Sequence, residues 1–460
     1  MSIKSINPST GEVLKTFEEM SPKEVEDRLA AAHAAFQKWR KVPAKERAEL
    51  LRRLAERFRA SVKEMATVVS REMGMIYAES EVDVDYCAAI LDYYADNGPA
   101  LLADQRLETP SGQAFNVFDP LGVILSVQPW NFPYSQAVRA MAPALMAGNA
   151  MLLKHASNVT MSALTLEKMF KEAGGPEGLF SVLILPGAKT TELVADPRIA
   201  GVTLTGSEPA GSSLAAMAGK SIKPCVMELG GNDAFIVLED ADLDAAAEHG
   251  VFGRVYNSGQ VCTSPKRIIV VKAVAEAFIA KAKAICESLK AGDPFEADTQ
   301  VQPMSSETQL KAVLAQLEAN IKAGAKLVCG GKRIDRPGWF MEPALLVDMK
   351  PGMPAYTEEV FGPVVCIYVV ADEAAAVAMA NDSRYGLGGT VFSADEDRAV
   401  KVARQIDTGM VYINHVSGTS PELPFGGTKR SGFGRELSPS GIYLFVNAKL
   451  IRVTTPDQPY

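Results

Sequence analysis

Two patterns of apolar positions divide this chain: amphipathic stretches with helical spacing, and short β-rich runs bounded by turn residues. Ser21-Pro22-Lys23-Glu24 supplies a helix cap, a proline at the first helical position and a glutamate placed to complete a capping box. The spacing that follows predicts a helix to about Trp39, and a longer one from Ala44 to about Arg71. From Leu121 short runs alternate with helical stretches: GVILSV, a helix across YSQAVRAMAPALMAG, AMLLK, a helix from about Thr160, VLILP and GVTLTGS. Strand and helix alternating at this rhythm predict a parallel sheet with crossover helices.

A second α/β series begins at NDAFIVL and continues through RIIVV, a helix-rich segment over residues 273–325, and TGMVYIN. It predicts a second open α/β domain. Between the first helices and the first series, QRLETPSGQAFNVFDPLG is turn-rich and reads as a β-hairpin arm, and the C-terminal GIYLFVNAKLIRVTT reads as a strand. Exposed apolar arms of this kind pair with another subunit, so a homodimer or homotetramer is expected.

Composition narrows the function classes. A chain of 460 residues exceeds what one core serves, and 47% hydrophobic with 22% charged residues is an ordinary globular balance. A formal net charge of -8 argues against nucleic acid or an anionic membrane as partner. No stretch approaches the roughly eighteen apolar residues of a membrane span, and the N-terminus lacks a basic segment followed by an apolar core. A cytoplasmic protein is expected. Six cysteines without a CxxC pair read as free thiols, and four histidines outside any HExxH or Cys/His cluster give no metal site.

Cys262, in VYNSGQVCTSPKR, follows a polar turn and precedes a β-branched run. By itself such a cysteine is as compatible with core packing as with nucleophilic chemistry. Likewise, no GxGxxG follows any strand, although four strand ends, VQPWNFP, LLKHAS, LPGA and LTGSEPAG, could together form a ligand crevice at the carboxyl edge of a sheet.

QPWNFP, MELGGND, NSGQVC, EEVFGPVV, NDSRYGLGGTVFS and PFGGTKRSGFGRE, in this order, resemble the motifs of the NAD(P)-dependent aldehyde dehydrogenase superfamily over nearly the whole chain. The resemblance implies two open doubly wound Rossmann-like domains plus a small β oligomerisation arm. On it, residues 1–107 with 127–230 form the cofactor-binding domain, 231–424 the catalytic domain, and 108–126 with 436–460 the arm. It also implies Cys262 as nucleophile, Glu228 as general base and Asn131 as oxyanion donor. Position 264 is serine, so Cys262 has no close cysteine with which to form a disulfide.

The resemblance places Trp130, Lys154, Ser157, Gly187, Gly206, Ser207, Glu359 and Phe361 at the cofactor. NAD-preferring members commonly carry glutamate where this chain has Ser157; a glutamate facing a 2′-phosphate would cost roughly 1 kcal/mol or more at a partly solvated site. NADP is therefore expected as the preferred cofactor, with NAD accepted. Arg139 lies eight residues after Asn131, two turns along a following helix. Many members have an aromatic residue there, whereas the succinate-semialdehyde dehydrogenase group resembles this chain in having arginine, a bidentate clamp for a carboxylate. Thr419 and Ser420 could add hydroxyl donors. The group often has another arginine where this chain has Tyr256. The expected substrate is a small aldehyde bearing a carboxylate, oxidised through a cysteine thiohemiacetal and thioester. The competing readings are a broad-specificity aldehyde dehydrogenase, a non-catalytic member retaining the fold, a thiol hydrolase needing a histidine partner, and an acyl transferase using coenzyme A.

Overall fold

A computed structural model describes residues 2–457. The first helix, Pro22–Trp39, starts at the expected capping box: the Ser21 hydroxyl accepts from the Glu24 N–H, and the Glu24 carboxylate accepts from the Ser21 N–H at 2.8 Å. Where the pattern predicts one helix from Ala44 to Arg71, there are two, Ala44–Ala60 and Val62–Glu72. Ser61 parts them with φ −118° and ψ 12°. Apolar spacing runs unbroken across the bend from Leu54 and Phe58 to Met65 and Val69, all buried in one cluster, so periodicity does not reveal it.

Two other expectations shift. Of VLILP only the first residue belongs to a strand, Phe180–Val182. The helix-rich 273–325 segment holds Ala275–Ser288 and Glu307–Lys322, as expected. At the C-terminus a short helix, Ser438–Tyr443, with proline in its first turn, precedes the strand Val446–Val453.

Two sheets organise the rest. The six-stranded sheet runs in the order Gly432–Phe433, Cys225–Glu228, Ile199–Thr205, Val123–Gln128, Ala150–His155 and Phe180–Val182, parallel except at its first strand. The seven-stranded sheet runs Lys326–Cys329, Ala344–Val347, Val364–Val370, Pro265–Val271, Asp233–Val237, Gly389–Phe392 and Tyr412–Ile413, again parallel except at its first strand. Both central regions are buried, as parallel sheets covered on two faces require. A three-stranded antiparallel sheet of Val446–Val453, Gln113–Pro120 and Gln105–Leu107 forms the arm, and it leaves Leu450 and Val453 more than half exposed. Among the described residues no helix is long and apolar enough to cross a membrane.

The relation between the sheets sets up everything downstream. The loop leaving the carboxyl end of Val123–Gln128 meets the loop entering the amino end of Pro265–Val271, where the Asn131 amide donates to the Gln260 carbonyl at 2.8 Å. Arg254, fully buried, locks that second loop: it donates to the Gly259 carbonyl (3.2 Å), the Ser264 hydroxyl (2.7 Å), and the carbonyls of Val360 (2.6 Å) and Val364 (2.8 Å). Arg254→Met is expected to lower Tm by about 6 °C or more in a thermal melt, because four buried acceptors lose their donor; an unchanged Tm would show that the network does not hold the loop.

Candidate active site

Cys262 sits on a strained loop. Asn257, Ser258 and Gly259 take successive left-handed conformations with φ of 50°, 52° and 71°. For the first two this costs of order 1–3 kcal/mol each, which persists only where surrounding contacts impose it. Those contacts are present: the Asn257 amide donates to the Asn131 carbonyl at 2.8 Å, and the Ser258 hydroxyl donates to the Gln302 carbonyl at 2.6 Å. Lys266 completes the frame from the following strand, its ammonium donating to the carbonyls of Val261 (2.8 Å) and Cys262 (2.6 Å) and pairing with Glu359 at 3.0 Å. The Gly230-Gly231 pair lets these parts close up. A Cβ on Gly230 would fall 2.2 Å from the Glu359 carboxylate, and one on Gly231 2.7 Å from the Cys262 carbonyl.

The Cys262 thiol opens on a cavity of about 360 Å³, whose walls include Tyr86, Phe132, Arg139, Phe252 and Phe425. Burial pushes the thiol up to about 11, against the pull of Lys266 and Arg139. It rests protonated at neutral pH.

Arg139, five per cent exposed, is not a free cation. Its guanidinium lies 4.4 Å over the Phe425 ring and 3.1 Å from the buried Glu436 carboxylate, in a contact that lacks hydrogen-bond alignment. The same charge acts on Cys262 and Glu228. Burial, then the neighbouring Glu436, raise the Glu228 carboxyl far above its ordinary range, while Arg139 opposes them. Both oxygens of Glu228, both of Glu436, Nε and Nη2 of Arg139 and Oε1 of Gln136 are buried without a protein hydrogen-bond partner. A folded chain tolerates such a concentration of unsatisfied polar atoms chiefly where a ligand or reacting group is to be met.

The remaining candidates fall into two groups. At the carboxyl edge of the six-stranded sheet lie Lys154, buried and pushed down by that burial, the exposed Ser157, Gly187 at the start of a short helix, and Gly206 with Ser207, the cap residue of the helix Glu208–Lys220. His155 ties this edge to the Trp130-Asn131 loop. Its Nδ1 accepts from the Ala156 N–H, so Nε2 carries the proton and donates to the Pro133 carbonyl at 2.7 Å; burial holds the ring down at about 4. Trp130 meets Phe361 edge to face with 5.7 Å between ring centroids, and Glu359 accepts from the Gly231 N–H at 3.2 Å. These contacts join the loop after Val123–Gln128 to the turn before Val364–Val370. At the substrate side Thr419 lines the cavity and contacts Tyr86, whereas the Ser420 hydroxyl is turned to Glu422 and Ser420 is not part of the wall.

The pattern described as the Aldehyde dehydrogenase family matches residues 1–451. The chain belongs to the aldehyde dehydrogenase family. Among its relatives, a succinate-semialdehyde dehydrogenase (NADP(+)) of Deinococcus radiodurans is 44% identical over 99% of this chain and 95% of its own length. The succinate-semialdehyde dehydrogenase (NADP(+)) 1 of Mycobacterium tuberculosis H37Rv is 45% identical over 98% of this chain and 99% of its own. Among solved structures, the succinic semialdehyde dehydrogenase of Streptococcus pyogenes in complex with NADP+ superposes with a TM-score of 0.97 at 43% identity, covering 98% of this chain and all of the other.

Sequence reasoning missed Lys266, Gln136, Phe425 and Glu436. Lys266 lies four residues after Cys262, and Glu436 ends the quoted GFGRE, so both were in view. Nothing in their spacing says which way they point. If the resting thiol is held as described, alkylation of Cys262 by iodoacetamide in the nucleotide-free protein is expected to accelerate about tenfold per pH unit from pH 7 to 10. A rate already flat above pH 8 would mean a thiolate at rest.

Proposed function

We propose that this chain oxidises succinate semialdehyde to succinate with NADP, and accepts NAD. The observation that carries the reading is the buried Arg139 guanidinium sharing one cavity with the Cys262 thiol, with donors left over after its contact to Glu436. The names of the relatives support it. Arg139 meets Glu436 through Nε and keeps Nη2 for the distal carboxylate of the substrate.

Cys262, once deprotonated, attacks the aldehyde carbon. The Cys262 N–H and a hydrogen of the Asn131 amide are the donors available for the resulting oxyanion. Lys154, the Ser157 hydroxyl and the cap of the Glu208–Lys220 helix suit a phosphorylated dinucleotide, since no carboxylate stands at 157 to oppose a 2′-phosphate. Glu359, Phe361 and Trp130 would hold its other end, with Gly187 and Gly206 giving close backbone approach. Bound there, the nicotinamide supplies the hydride acceptor. The thioester left on Cys262 needs water activated by a base, and Glu228, in its ionised form, fills that role. We read the boundaries as 1–107 with 127–230, 231–424, and the arm 108–126 with 436–460; the half-exposed leucine and valine of the arm favour a homodimer or homotetramer, and the composition favours the cytoplasm.

Two outcomes test this. Initial rates are expected to favour succinate semialdehyde over an uncharged aldehyde of similar length by at least tenfold in kcat/KM. Arg139→Ala should remove that margin, which corresponds to about 1.4 kcal/mol. Equal wild-type rates for the two aldehydes would leave a broad-specificity enzyme. Separately, Ser157→Glu should lower kcat/KM for NADP by about tenfold while sparing NAD, and equal losses with both nucleotides would remove Ser157 from cofactor choice.

A further inference from the structure

Two cysteines remote from the cavity have come together. Cys286 lies buried in the last turn of the helix Ala275–Ser288, and Cys329 ends the edge strand Lys326–Cys329, half-buried. The helix packs against that strand, and each thiol acts electrostatically on the other. A shift of register between Leu327 and Cys329 lets the consecutive residues Val328 and Cys329 both pack on the cluster that contains Cys286, where a regular strand would send them to opposite faces.

We propose that Cys286 and Cys329 are a modification site: a thiol pair that closes to a disulfide under a peroxide-class oxidant and reopens with a dithiol. The half-exposed Cys329 sulfur attacks hydrogen peroxide first, becoming a sulfenic acid and releasing one water. The Cys286 thiol then displaces a second water from that sulfur as the S–S bond forms. Two thiols lose two electrons and two protons, and one peroxide is reduced to two waters.

The chain enclosed by this bond is the rear support of the nucleophile loop. Within it the Gln302 carbonyl accepts from the Ser258 hydroxyl, the Ser305 N–H donates to the Gln260 side chain at 2.9 Å, and the Gln309 amide donates to the Phe361 carbonyl at 2.8 Å. The disulfide would therefore staple the segment that fixes both Cys262 and the Glu359-Phe361 turn, without touching the reacting atoms.

The test uses the full chain with Cys262→Ser, so that oxidant is not consumed in the cavity, leaving five cysteines. After treatment of the folded protein with hydrogen peroxide, thiols titrated in denaturant should fall from five to three and return with dithiothreitol. A tryptic map should show residues 284–290 joined to 327–332, in this variant and in the wild type alike. Oxidation should raise Tm by about 2 °C or more, and Cys329→Ser should abolish the cross-link and the rise together. Five thiols persisting, a loss of thiol without that joined peptide, or a cross-link that forms only in denaturant would each overturn the proposal.

Discussion

A guanidinium sealed in the interior holds this structure to its purpose. Arg254 has no carboxylate among its hydrogen-bond partners, and burial draws it down to about 10, so the cation is kept in place by three carbonyls and a hydroxyl. Those acceptors belong to two segments far apart in sequence, the loop that carries Cys262 and the turn that carries Glu359 and Phe361 with the strand start after it. One planar fork of donors satisfies them together. Arg267, in the strand Pro265–Val271, repeats the device, tying the Asn232 carbonyl to those of Met379 and Ala380.

With its rear fixed, the site can concentrate unfavourable features at the front. The left-handed Asn257 and Ser258, the neutral thiol, and two carboxyls beside one arginine are all costly locally. They persist because the surrounding sheets over-determine them. Burial raises both the Cys262 thiol and the Glu228 carboxyl above their ordinary ranges, and the Arg139 charge acts on both. The burial that raises them also makes them responsive to a charged or polar ligand entering the cavity.

The cavity sits at an uncommon place for parallel sheets. Asn131 and Ser207 follow carboxyl ends of strands in the six-stranded sheet, and Lys154 is the last residue but one of its strand, as open α/β folds lead one to expect. Cys262 instead precedes the amino end of a strand in the seven-stranded sheet. The two edges meet where the Asn131 amide donates to the Gln260 carbonyl, two residues before Cys262.

Much was legible in the residues. The capping box at Ser21, the alternation of strands and helices from Leu121, the hairpin arm and the motifs around Cys262, Glu228 and Asn131 are local signals, written in a few consecutive side chains, and local geometry follows from them directly. The bend at Ser61 escaped because apolar spacing is continuous through it. Glu436, Lys266 and Phe425 escaped as partners because a charge or ring in a loop gives no hint of what it will face. Sequence alone thus determined the elements, the family resemblance and the reacting residue types. Only tertiary packing decided that Arg139 would meet a buried glutamate, that the thiol would rest protonated, and that Cys286 and Cys329 would act on each other, since burial and through-space charge arise when distant segments are brought into contact.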